Sequence, residues 1–111
     1  MPDLNAMYDE AENLKDEGDY EAAIAKLVAL LAEDNSHVLS HLALAVLYGR
    51  VGQHEKAVEH GKLACELDPN DAFNFTAMSV TYQRAWQGTQ RNEYIQLAED
   101  AMARAHTLQS P

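Results

Sequence analysis

Apolar residues recur along this chain at intervals of three and four, and the recurrence breaks at regular places. Ala23, Ile24, Leu27, Leu30 and Leu31 form one stripe. Ala57, Val58, Gly61, Ala64 and Cys65 form a second, and Tyr94, Ile95, Ala98, Ala101 and Met102 a third. A spacing of i, i+1, i+4, i+7, i+8 puts such a set on one face of an α-helix. The whole pattern predicts an all-α chain with helices over 3–17, 20–33, 37–51, 54–67, 71–86 and 90–107. Between them stand Gly18-Asp19, Asn35-Ser36, Gly52-Gln53, Asp68-Pro69-Asn70 and Gly88-Thr89. Glycine just past a helix end, and Asp, Asn, Ser or Thr before the next start, suit the orphaned backbone groups at helix termini.

The pattern repeats every 34 residues. Gly18 falls on Gly52, Ala23 on Ala57, Ile24 on Val58 and Asp34 on Asp68; Leu14 falls on Tyr48 and then on Tyr82. Beyond Tyr82 the offset becomes 37, pairing Ala57 with Tyr94, Gly61 with Ala98 and Ala64 with Ala101. The third unit therefore carries three extra residues, expected as a turn near Trp86-Gln87-Gly88-Thr89, where length is cheap. Units are expected at about 4–37, 38–71 and 72–108 within a single domain, 1–111.

The middle unit carries the fullest motif: Leu44-Ala45, Tyr48, Gly52, Ala57, Ala64, then Leu67-Asp68-Pro69-Asn70. In period and residues it resembles the tetratricopeptide repeat (TPR), whose small residues let paired helices approach and whose closing proline ends the second helix. Four positions depart from the family pattern. His41 stands where Trp or another apolar residue is common, and Gly61 where a large aromatic is usual. Glu10 takes an apolar position and Asn35 a proline position. The resemblance implies a right-handed solenoid of three helix-turn-helix units, with first helices lining a concave groove that binds a peptide or helix.

Within that frame the middle first helix has two apolar faces. His41, Leu44, Ala45 and Tyr48 should pack on the partner helix, leaving Leu39, Leu42, Ala43 and Val46 toward the groove. The third unit repeats the second face with Phe73, Thr76, Ala77 and Val80, and Arg50 and Arg84 fall 34 apart on the rim. The first unit puts Asn5, Tyr8, Asp9, Glu12 and Asp16 there, making that end acidic. These residues describe a site for an apolar or amphipathic segment with basic residues toward the acidic end. Burial of the same face in a homo-oligomer is the alternative. Ile95, Ala98, Met102 and Ala105 are expected to stay partly open on the last helix, a second docking face. Family members that clamp the C-terminal carboxylates of heat-shock chaperones use Lys, Asn and Arg of the inner helices. The matching positions here are Tyr8, Glu12, Ala43, Phe73 and Ala77, which argues against that role.

Charge narrows the partners. The chain carries −10 over 111 residues. Residues 1–36 hold ten acids against Lys15 and Lys26, whereas 72–111 are balanced. Nucleic acid and anionic membrane both need a basic footprint, so neither is expected. The first residues lack a basic segment followed by an apolar one, and no apolar run reaches the roughly 18 residues of a membrane span, so the default expectation is cytoplasmic. Cys65 is the lone cysteine and sits on the second apolar stripe, as a small hydrophobe rather than a nucleophile. His37 and His41 are spaced i, i+4, as metal ligands can be, but no third ligand matches, so no metal or other cofactor is expected. The carboxylates lie on solvated faces, and the five glycines are scattered rather than gathered in a phosphate loop. The chain is therefore not expected to be an enzyme. Trp86 is expected to plug the turn that follows it.

Overall fold

The computed structural model describes residues 2–110; Met1 and Pro111, the ends of the expected 1–111 unit, lie outside the described residues. Its helices are α1 (Leu4–Asp16), α2 (Tyr20–Glu33), α3 (Val38–Arg50), α4 (His54–Leu67), α5 (Ala72–Thr89) and α6 (Glu93–Gln109). They pack as α1 with α2, α3 with α4 and α5 with α6, and each pair stacks on the next. The first four helices match the sequence pattern to within a residue at each end. Asp3, Asp19, His37 and Asp71 cap helix starts by accepting backbone N–H bonds. Gly18 and Gly52 end the first helices of their units at φ 84° and 82°, the left-handed region where a side chain costs most.

The third unit departs from expectation. Trp86-Gln87-Gly88-Thr89 is not a turn but the last turn of α5, which runs to 18 residues, against 13 in α1 and α3. The inserted residues continue the helix because Thr89 and Gln90 satisfy its final carbonyls. Thr89 Oγ1 donates to the Ala85 carbonyl at 2.7 Å, and Gln90 Nε2 to that of Gln87 at 3.1 Å. The chain then reverses at Gln90, with φ 60°, and α6 starts at Glu93 rather than 90. Gly88 is needed for packing instead: a Cβ there would lie 2.1 Å from His54 Nε2, so the His54 ring rests on bare backbone.

Two apolar clusters make the core. One joins the first two units through Ala11, Ala23, Leu27, Leu44, Leu47, Tyr48 and Ala57. The other joins the last two through Val58, Cys65, Met78, Tyr82, Ala85, Tyr94, Ala98 and Ala101. Each sequence departure has a structural explanation. Glu10 pairs with Lys26 of α2 at 2.8 Å. His41 is 4% exposed, and its Nε2–H donates to the Asn35 carbonyl at 2.8 Å, so the residue standing in for proline supplies the acceptor. A Cβ on Gly61 would meet Met78 Sδ at 2.7 Å: the room left by the absent aromatic is filled from the next unit.

Candidate protein-binding groove

The inner faces of α3 and α5 meet over a cavity of about 220 Å³. Leu42, Val46, Phe73, Thr76, Ala77, Val80 and Arg84 line it, seven of the residues expected from sequence. Ala45, Gly61, Met78 and Thr81 complete the floor and were not expected there. The one signal for them was Gly61 itself, a gap in a stripe that carries Leu27 and Ala98 at the same register. The groove is apolar because α3 has little polar surface to offer, and because Thr76 turns its hydroxyl back to the Ala72 carbonyl at 3.2 Å. Large side chains stand open along it: Phe73 is 63% exposed, Leu39 54% and Val80 38%. Leu39 lies one helical turn before Leu42, outside the cavity itself.

Toward the first unit, Tyr8 and Ala43 pack against the first core cluster. Tyr8 also stands beside His37, ring centroids 5.7 Å apart. Burial raises the Tyr8 hydroxyl pKa above its ordinary value, helped by the neighbouring carboxylates of Glu12 and Asp9. Glu12 is held in turn by Lys15 at 2.9 Å. Asn5 and Asp9 are exposed on the same helix. Arg50 does not reach the rim position expected for it. Its guanidinium donates to the Tyr20 hydroxyl at 3.0 Å and lies 5.5 Å from the ring centroid, drawn by hydrogen bond and ring face together. Only Arg84 of the expected pair borders the cavity.

The imidazoles are arranged differently from the i, i+4 pair in the sequence. His37 Nδ1 accepts from Ser40, backbone N–H at 3.3 Å and hydroxyl at 2.7 Å, as the cap of α3. His41 turns to His60 of α4, Nδ1 to Nδ1 at 3.0 Å, and Tyr48 stacks on His60 with centroids 5.6 Å apart. Because the His41 Nε2–H goes to Asn35, the neutral His41 accepts at Nδ1 and His60 donates. Burial, then the neighbouring His41, lowers the His60 pKa below its ordinary value; Glu59 opposes the shift and Lys56 adds to it. Among the described residues no group of three or more His, Cys, Asp or Glu side chains is placed to hold a metal ion. Cys65 is buried with its thiol pKa pushed up to about 11, and Sγ–H points to the Asn74 carbonyl at 3.5 Å.

A larger concavity, about 520 Å³, opens on the outer side of the third unit between α5 and α6. Ser79, Trp86, Ile95, Ala98 and Met102 form it, and Gln83, Gln87 and Glu99 rim it. Of the residues expected to stay open there, Ile95 is 44% exposed and Met102 half-buried, whereas Ala98 and Ala105 are buried against α5. Trp86 both lines this face and donates from Nε1 to Asn92 in the turn at 3.4 Å.

No family model and no curated protein matches the sequence. Solved structures match the fold closely. The second TPR of Spaghetti (RPAP3), bound to the HSP90 peptide SRMEEVD, superposes with a TM-score of 0.77 at 21% identity, over 96% of this chain and 92% of that one. MamA gives 0.75 at 18% identity over 94% of this chain, which spans 59% of MamA's length. The Yersinia enterocolitica type III secretion translocator chaperone SycD, in an alternative dimer, gives 0.69 at 18% over 95% and 87%. The chain has the tetratricopeptide-repeat fold, three helix-turn-helix units in a right-handed solenoid. Among the described residues no helix is long and apolar enough to cross a membrane.

Proposed function

We propose that residues 1–111 act as one three-repeat interaction module, an adaptor, scaffold or dedicated chaperone that holds a partner segment in the groove. The observation that carries this reading is the exposure of Leu39, Phe73 and Val80 along one inner face. Exposed apolar side chains scattered singly mean little, but a row of them bordering a cavity is a docking feature. Each partner side chain buried there contributes about 1.5–3 kcal/mol before ordering costs. Asp9 and Glu12 at the first unit favour basic residues at that end of the segment, so the partner is apolar or amphipathic with Lys or Arg at one end.

The same chemistry disfavours an acidic peptide such as the one bound by the second TPR of Spaghetti. The groove positions nearest its charge would be Tyr8, Glu12, Ala43, Phe73 and Ala77, none of them cationic. The net charge of −10 disfavours nucleic acid and anionic membrane, which favours a protein partner. Binding rather than catalysis is also supported by Cys65, which is protonated at neutral pH and already directed to a carbonyl. Self-association is favoured by one observation, the open face between α5 and α6.

A random-peptide library selected on the wild type tests the groove. Binders rich in apolar residues with Lys or Arg at one end are expected, and Phe73→Asp with Val80→Asp should weaken them at least about tenfold. Both sites are exposed, so helicity by circular dichroism should be unchanged. Equal binding by the folded variant would sink the groove reading.

A further inference from the structure

The two ends of the solenoid are finished differently. Where α3 and α5 stack on the preceding unit they bury Ser40, Leu44 and Leu47, and Asn74, Met78, Thr81 and Ala85. The same register in the first unit holds Ala6, Glu10 and Asn13 of α1 and Glu17 at its C-terminal end, all exposed. The first end is thus a polar surface, with Glu10 tied to Lys26. At the other end Ile95 and Met102 occupy the register of Val58 and Cys65, which α5 covers. There Ile95 is open, Met102 half-buried and Trp86 beside them, with no described residue lying over them.

We infer that this α5–α6 face docks against the same face of a second copy, giving a closed two-fold dimer. It deepens the self-association reading and is independent of the groove. Head-to-tail stacking is disfavoured, because it would press Asn13, Glu17 and the Glu10–Lys26 pair onto the apolar concavity and strip them of water. Tail-to-tail contact matches the electrostatics. Two chains of −10 repel, but residues 72–111 balance Arg84, Arg91 and Arg104 against Glu93, Glu99 and Asp100. The acidic first units are thereby held at the far ends of the pair. The rim is also self-complementary: Gln83 and Gln87 each donate and accept, so they can pair with their own images, and Glu99 alone carries charge.

Size sets the strength. Two helices about 25 Å long and about 9 Å apart present a footprint on the order of 500 Å² per copy. About 1,000 Å² in total is the low end for a specific interface, so a dimer exchanging at micromolar concentrations is expected.

Trp86 is the single tryptophan in the chain and lies on the face, so it reports its burial. Sedimentation equilibrium of the purified chain should show the mass rising from 12.3 kDa to twice that value and stopping. Trp86 emission should move to shorter wavelength with the same midpoint, at about tens of micromolar. Raising the salt should lower the dissociation constant several-fold, as screening relieves repulsion between like-charged copies. Ile95→Lys should weaken the dimer at least about tenfold with helicity unchanged, while Phe73→Asp with Val80→Asp leaves it intact. A mass fixed at the monomer to millimolar concentration overturns the inference. So does a mass climbing past two copies, or a dimer that forms with Trp86 emission unmoved.

Discussion

Two junctions hold the three units together, and they are filled in opposite ways. At the first, Leu27 of α2 and Leu44 of α3 are fully buried in one aliphatic cluster. At the second, the same register holds Gly61 and Met78, so the bulk moves from the earlier helix to the later one. Polar stitching is added there. Asn74, nearly fully buried, donates to the Ala64 and Asp68 carbonyls at 3.3 and 3.1 Å, a second bond to acceptors that the Asp68 and Asp71 backbone N–H groups also reach, and so ties α5 to the end of α4. Arg91, in the turn before α6, reaches Glu55 of the second unit at 3.5 Å and pairs with Glu93 at the start of α6. A repeat array thus tolerates different contents at one register provided each junction is filled and its backbone groups are satisfied.

The largest expected effect tests the aliphatic junction. Leu27→Ala should cost about 2–5 kcal/mol in urea unfolding, because rigid helices close poorly over the cavity. An effect under about 1 kcal/mol would show that Leu27 does not hold the units together. Next comes a swap that makes the second junction resemble the first. Gly61→Leu alone should cost about 1–3 kcal/mol by driving into Met78, and Met78→Ala alone about 2–5 kcal/mol by leaving a void. The double variant should recover about 0.5–3 kcal/mol relative to the sum, and strict additivity in the cycle would break the size-exchange account.

Asn74→Ala should cost about 1–3 kcal/mol, since it removes two buried hydrogen bonds and leaves a small void at the junction. Amide exchange should quicken at the α4–α5 junction more than between α1 and α2. A smaller effect is carried by pH. His60 is held below its ordinary value of 6.5 in the folded chain, so the unfolded chain binds more protons between the two values. Its contribution is complete above about pH 6.5 and is lost as pH falls through the depressed folded value. The melting temperature should therefore drop from pH 7.5 to 5.5, and His60→Gln should flatten that slope. An unchanged slope would assign the effect to other groups. Gly61→Ala should change stability least, within about 0.5 kcal/mol: the helix gains from losing glycine, while the flexible end of Met78 must shift.

The first four helices and the helix faces that line the cavity could be read from periodicity. Leu42, Val46, Phe73, Thr76, Ala77 and Val80 share helix faces whatever the tertiary structure, and two such faces placed 34 residues apart had to align in a solenoid. Arg50 shows where that reasoning stops: register fixes only where its backbone lies, and its long side chain turns to Tyr20 of the first unit instead of bordering the cavity. Gly88 suggests a break where α5 in fact continues, because its missing side chain serves instead to make room for His54 across the unit boundary.

The sequence by itself therefore determined the helices, their period and the apolar character of the inner face, because each depends on the 3.6-residue turn of a single helix. Only the tertiary structure decided the partners across helices. It joined His41 to His60 rather than to His37, set Met78 into the space at Gly61, and turned Asn74 toward α4. It also left the α5–α6 face open while α1 presents a polar one. Those outcomes depend on how neighbouring helices are rotated and how far apart they sit, and no spacing along one chain segment carries that information.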